Sequence, residues 1–186
     1  MIRIVSSSEA ERLLKRRALR LAEAERTVRP ILEAVRRRGD RALVAYARRL
    51  DGLKRASVRV PAEELEQAAR QLKPAFRKAV RTAARNIRAY AVRQLPREAA
   101  GSAAPGLRLG QVVRPLEAVG CYIPAGRYPL PSTLLMTAIP AQVAGVPRIC
   151  VASPRPVPEI LGTAHLLGLR DVFQMGGAQA VAAFAY

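Results

Sequence analysis

The stretch CYIPAGRYPLPSTLLMTAIPAQVAG, residues 121–145, decides the fold. It begins inside an apolar run, Ala118 to Ile123, that reads as a buried strand. A loop stiffened by Pro124, Pro129 and Pro131 follows, with Gly126 inside it. Ser132 and Thr133 then open a helix-length segment near 132–144. Pro140 lies within that segment and predicts a kink there or a late helix start.

The same alternation continues downstream. Arg148 to Ala152 reads as a strand, Ser153–Pro158 as a loop, and the next residues to about Leu167 as a helix. Gly168 ends that helix, Asp171 to Met175 reads as a third strand, and a helix starts near Ala178. Strands and helices alternating at about 25-residue intervals imply right-handed βαβ units and a parallel sheet of at least three strands. The fold class expected is α/β: a helical N-terminal region plus an incomplete Rossmann-like α/β/α sandwich with a parallel sheet.

Upstream the period is helical. Ser8 with Glu11 fits a capping box, and Leu13, Leu14 and Leu21 fit an apolar stripe. Thr27 is placed to cap a further helix carrying Val28, Ile31, Leu32 and Val35, which stops at Gly39. Asp40 opens another, with Leu43, Val44, Ala47 and Leu50 facing inward, ending at Asp51–Gly52. Ser57 to Val60 reads as a short extended piece. Pro61 and Pro74 sit where a first helical turn tolerates proline, opening helices near 62–72 and 75–94. Gly101 to Gly106 reads as a linker or exposed loop, and Leu107 to Val113 as an extended segment or hairpin arm. The division expected is 1–106, mainly helical, and 107–186, the βαβ region.

The 186 residues, half of them apolar, suffice for a sizeable core. No apolar run has the length that spans a bilayer, and the N-terminus lacks a signal-peptide apolar region. Cys121 and Cys150 are the only cysteines, which fits neither a disulfide scaffold nor a zinc module; a reducing cytoplasm is expected. The net charge of +18 comes almost wholly from the first 100 residues, and Arg far outnumbers Lys. Clustered Arg suits nucleic acid. Yet aromatics that stack on bases are sparse there (Tyr46, Phe76, Tyr90) and Glu residues interrupt the basic runs. Solvated Arg-rich helix faces are the better reading, and nucleic acid is not expected as a partner.

In parallel sheets of this kind ligands bind beyond the carboxyl ends of the strands. Three loops fall there: Pro124–Pro131, Ser153–Pro158 and Gly176–Gly177. Gly126, Gly176 and Gly177 permit close backbone approach, and the helix near Ala178 offers free N–H groups to an anion. The prolines hold the first loop in shape without a ligand. Tyr122 offers a ring edge or hydroxyl, and Gln179 both donors and acceptors. Neither a G-x-G-x-x-G fingerprint nor a P-loop is present. His165, the only histidine, suits a packed or rim position better than a metal ligand. Cys121 and Cys150 suit small buried hydrophobes, and Glu117, Glu159 and Asp171 suit caps or the surface.

The run G-C-Y-I-P-A-G-R-Y-P-L-P-S-T-L-L-M-T-A-I-P-A-Q-V-A-G-V, from Gly120 to Val146, resembles the histidinol dehydrogenase family. So does V-F-Q-M-G-G-A-Q-A-V-A-A-F-A-Y, from Val172 to Tyr186. The resemblance extends through R-R-R-G-D-R-A-L, A-A-R-N-I-R-A-Y and L-R-L-G-Q-V-V-R-P-L-E-A-V-G, and so covers nearly the whole chain. It implies oxidation of histidinol to histidine in successive NAD-dependent steps, with a bound zinc. It further implies that Tyr122 and Gln179 match residues that contact NAD, with Pro124 and Gly126 shaping the same pocket. Ala125 stands where the family usually has glycine; its methyl would narrow the backbone's approach to the cofactor if the position required positive φ.

The resemblance also implies material beyond Tyr186: a G-P-G-N segment that completes the NAD site, the zinc ligands, and a Glu–His pair acting as base. The chain is therefore expected to be an N-terminal portion, inactive alone, with a weak or incomplete NAD site and zinc only in a complete member. Its expected partner is a second copy or a separate C-terminal segment. The alternatives are a stand-alone, non-catalytic nucleotide- or partner-binding relative and a basic nucleic-acid-binding protein.

Overall fold

The structure, a computed structural model, describes residues 6–126 and 128–186, without the side chains of Ser8 and residues 11–20. Among the described residues the order begins α1 (Ser7–Arg38), α2 (Asp40–Asp51), α3 (Ala62–Gln71), α4 (Pro74–Arg93), β1 (Ala99–Ala104) and β2 (Leu107–Gln111). It continues β3 (Ala118–Tyr122), α5 (Pro131–Val143), β4 (Arg148–Ser153), α6 (Pro158–Leu166), β5 (Asp171–Gln174) and α7 (Gly177–Ala185).

Strands β3, β4 and β5 form a parallel sheet in that order, with Cys121 opposite Val151 and Val151 opposite Val172. Helices α5 and α6 are the crossovers, as the strand–helix alternation predicts. Side chains alternate along a strand, so each face of the sheet collects its own set. Cys121, Val151 and Val172 pack with Leu65 of α3, Leu134 and Ala138 of α5, and Ile160 and Leu161 of α6. Ala152 and Phe173 belong to the other core, with Leu43 and Ala47 of α2 and Ala180 of α7. Two further layers lie outside these: α4 covers α5 through Val80, Leu135 and Ile139, and α1 meets α7 through Val35 and Ala182. Each fully buried Leu or Ile contributes about 1.5–3 kcal/mol relative to an exposed one.

Two contacts set the sheet's margins. Gly120 of β3 leaves room for Phe184 of α7: a Cβ there would stand 2.3 Å from the ring. The extended piece 57–60 runs antiparallel along β5, with Val60 N–H donating to Val172 O at 2.8 Å and Gln174 N–H to Val58 O at 2.7 Å. Asp171 reinforces that margin, pairing with Arg59 at 2.7 Å and Arg148 at 3.3 Å.

Several local expectations are corrected. Helix α1 starts earlier than Ser8: Ser6 is the N-cap, and Ser6 with Glu9 makes the capping box. The side chains of Ser8, Glu11, Leu13 and Leu14 lie outside the described residues, and Leu21 is exposed. Thr27 caps nothing. It lies inside a continuous α1 that also runs through Pro30, and its hydroxyl donates to Glu23 O at 3.2 Å. A proline inside a helix costs about 3 kcal/mol, here offset by the burial of Val35 and its neighbours against α2 and α7. The stretch from Gly101 is no linker. It belongs to β1, which pairs antiparallel with β2 around Pro105–Gly106, where Gly106 supplies φ 80°. Helix α5 begins at Pro131 and continues through Pro140, so it does not start late.

Candidate functional site

The carboxyl ends of the three parallel strands surround a cleft of about 530 Å³. Its walls include Tyr122 at the end of β3, residues 124–126 and 128–130 of the loop that follows, Ser153 at the end of β4, Arg155 just beyond it, and Gly177 at the start of α7. That size falls within the range of small-molecule sites. The sequence places a ligand crevice at this end of the sheet, and the three expected loops meet here.

Local chemistry explains the cleft's shape. Pro131 and Pro158 sit at the first turns of α5 and α6, where a missing N–H costs nothing, so each loop ends abruptly in a helix. Pro124, Gly126 and Tyr128 are exposed along the first loop; Arg127 lies outside the described residues. Ala125 does not adopt positive φ, so its methyl brings no backbone strain. Gly126 also lacks positive φ, and a Cβ there would meet nothing nearer than the Tyr128 carbonyl at 3.8 Å. The close approach is made instead at Gly176, where a Cβ would stand 2.4 Å from Pro154 and 3.0 Å from Asp51 Oδ1.

The α7 terminus is already engaged. Gly176 N–H donates to Asp51 Oδ2 at 2.9 Å, and Gly177 N–H donates to the Tyr122 hydroxyl at 3.1 Å. The expectation that this terminus holds free N–H groups for an anion is thus corrected at both glycines. Gln179 Nε2 donates to the same Asp51 oxygen at 2.9 Å, and the residue is only 1% exposed. Its Oε1 is buried and has no hydrogen-bond partner. Tyr122 and Gly177 therefore line the cleft directly, while Gln179 and Gly176 lie beneath it.

Two residues at this site were not singled out from the sequence. Asp51 is separated from Gly176 by 125 positions, so spacing alone did not link them. One signal was present. An acid in the last turn of a helix opposes the macrodipole, so its position there calls for another role. Arg155 is exposed on the cleft wall, where its charge suits an anionic ligand. Leu50, expected to face inward, is 46% exposed and forms part of the same wall.

The remaining candidates lie elsewhere. His165 is exposed on α6. Cys121 is buried and Cys150 half-buried; burial pushes both thiols above the ordinary range, and the Asp171 carboxylate adds to the rise at Cys150. Among the described residues no group of three or more His, Cys, Asp or Glu is placed to hold a metal ion. A second cavity, about 340 Å³, opens toward the amino ends of β3 and β4 beside Phe184, Met175 and Cys150.

A parallel α/β sheet with a ligand-sized cleft at its carboxyl edge defines a class of α/β binding domains. Residues 14–186 match the family model for histidinol dehydrogenase. A histidinol dehydrogenase of Caulobacter vibrioides is 46% identical over 169 residues, covering 89% of this chain and 40% of that protein. One from Deinococcus radiodurans is 50% identical over 167 residues, covering 87% and 38%. The crystal structure of histidinol dehydrogenase from Elizabethkingia anophelis superposes with a TM-score of 0.80 at 31% identity, over 86% of this chain and 38% of that one. The chain belongs to the histidinol dehydrogenase family and corresponds to its N-terminal portion. It spans about 40% of the length of the curated relatives it matches.

Proposed function

We propose that this chain carries the NAD-contacting part of a histidinol dehydrogenase, the enzyme that oxidises L-histidinol to L-histidine in histidine biosynthesis, and that it does not turn over by itself. The observation behind this reading is the meeting of Tyr122, Gly177 and Arg155 at one cleft above the unpartnered, buried Gln179 Oε1. A buried amide oxygen without a partner is costly; a ligand that donates a hydrogen bond removes that cost. These groups fit NAD: a ring for stacking, a cation for phosphate, a side-chain-free backbone at Gly177, and an acceptor beneath it.

NAD, when bound, supplies the hydride acceptor. The chain's own residues bind and orient. Pro124, Pro129 and Pro131 hold the loop, Tyr122 fixes the α7 terminus, and Asp51 holds Gly176. A base must also take the alcohol's proton. Around the cleft the described residues offer the Tyr122 and Tyr128 hydroxyls and the Asp51 carboxylate, and that carboxylate is already engaged by Gly176 N–H and Gln179 Nε2. Among the described residues no group of three or more His, Cys, Asp or Glu fits a zinc ion.

A separate C-terminal segment would supply the base, the zinc site and the last NAD contacts, and the chain would associate with that segment or with a second copy of itself. Association is supported by Leu107, Leu109, Val112 and Leu116, all exposed on and after the β1–β2 hairpin. A cytoplasmic setting is supported by two cysteines left free. No described helix is long and apolar enough to cross a membrane. The test is NADH production from histidinol, with NAD and zinc, by the purified chain with and without an added C-terminal segment. Turnover only on addition supports the proposal; turnover by this chain alone, free of contaminating enzyme, contradicts it.

A further inference from the structure

We infer that Asp51 is a positioning residue that sets the polarity of Gln179, turning its amide so that the oxygen, and not the nitrogen, is presented to a hydrogen-bond donor of the ligand. The inference rests on the cleft being the NAD site.

An ionised carboxylate accepts hydrogen bonds and donates none. Asp51 Oδ2 receives Gly176 N–H and Gln179 Nε2, each at 2.9 Å, so the side of Gln179 facing Asp51 must be its NH2. The oxygen is thereby forced to the opposite side, where it is buried without a partner. Asp51 is itself 5% exposed, which excludes most of the water that would otherwise compete for these bonds. Gly177 is the cover on the oxygen's side: a Cβ there would stand 3.2 Å from Oε1, while the residue itself lines the cleft and is exposed. The absence of a side chain at Gly177 leaves a thin backbone layer between the cleft and the unpaired acceptor.

This geometry specifies a chemistry. The group drawn to Oε1 is a donor: a ribose hydroxyl, the adenine amino group or the carboxamide NH2 of the nicotinamide. A phosphate oxygen would bring two acceptors together. NAD carries all of these, and ADP-ribose keeps the ribose hydroxyls and the adenine amine but lacks the carboxamide, so the two probes separate the nicotinamide end from the ADP-ribose part.

The experiment compares the wild-type chain with Asp51→Ala and with the double variant Asp51→Ala/Gln179→Glu. Two readouts are used: NAD and ADP-ribose titrations, and the nuclear Overhauser contact between the Gly176 amide proton and the Gln179 side-chain NH2. In the wild type that contact is expected, because both groups converge on one oxygen. In Asp51→Ala it should weaken, and NAD affinity should fall about tenfold as the amide becomes free to turn its nitrogen outward. In the double variant affinity should return to within about threefold of wild type. A glutamate presents an oxygen whichever way it turns, and the charge lost at position 51 is restored at 179. Loss of ADP-ribose affinity alongside that of NAD assigns the donor to the ADP-ribose part, a ribose hydroxyl or the adenine amine; loss with NAD alone assigns the carboxamide. A double variant as weak as Asp51→Ala would overturn the inference, since Asp51 would then only hold Gly176. So would a Gly176–Gln179 contact absent from the wild type or unchanged in Asp51→Ala. If the wild type binds neither probe, the NAD reading fails, and the proton–proton contact still decides the role of Asp51.

Discussion

The Tyr122 hydroxyl accepts the Gly177 N–H at 3.1 Å, which ties the end of β3 to the first residue of α7 across the full width of the parallel sheet. Tyr122→Phe keeps the ring and removes this bond. Stability should fall by about 0.5–1.5 kcal/mol in urea unfolding. NAD affinity should fall modestly with Phe and further with Ala, which also removes the ring. Equal affinity for all three proteins would show that Tyr122 contributes nothing to binding.

Gly120 gives way to the Phe184 ring. Gly120→Ala should destabilise the protein by about 1–3 kcal/mol through overpacking. Phe184→Leu in the same chain should recover part of that loss. A double variant less stable than either single one, by calorimetry, would contradict this account of the contact.

How much of this was legible in the sequence depended on the range of the interactions. Pro74, Pro131 and Pro158 marked helix starts because a proline's fixed φ and missing N–H act locally. The apolar runs of β3, β4 and β5 marked strands, and their spacing gave the crossovers; the expectation that the first run is buried is corrected, because Cys121 is buried but Ala118, Gly120 and Tyr122 are exposed. The continuity of α1 through Thr27 and Pro30 was not legible, because it depends on packing against α7, more than a hundred residues away. Strand β1, AAGSAA, carries no β-branched or aromatic residue, and its conformation comes from pairing with β2. At the site, Tyr122 and Gly177 were readable as loop-end residues. The dependence of Gly176 and Gln179 on Asp51 was not.

Arg155 stands on the cleft wall with no ion-pair partner among the described side chains. Arg155→Ala should weaken NAD binding by about three- to tenfold at low salt, and the difference should shrink as salt is raised. Isothermal titration at two ionic strengths checks both parts. A salt-independent loss would point to packing rather than charge.

Leu107 and Leu109, exposed on one side of β2, are an apolar surface that water covers poorly. The chain is expected to self-associate at high micromolar concentration in sedimentation velocity, and Leu109→Lys should shift it toward monomer. A wild-type profile that is monomeric throughout would count against association through this hairpin.

On the reading proposed above, NAD binds at the carboxyl edge of the β3–β4–β5 sheet. Titration of the labelled chain with NAD, followed in amide spectra, decides whether it does. Saturable shifts are expected at Tyr122, Gly126, Arg155 and Gly177, with weak affinity and little change around Cys150 and Phe184 in the second cavity. Shifts confined to that second cavity, or no movement of the 122–131 and 176–179 resonances at saturating NAD, would contradict it.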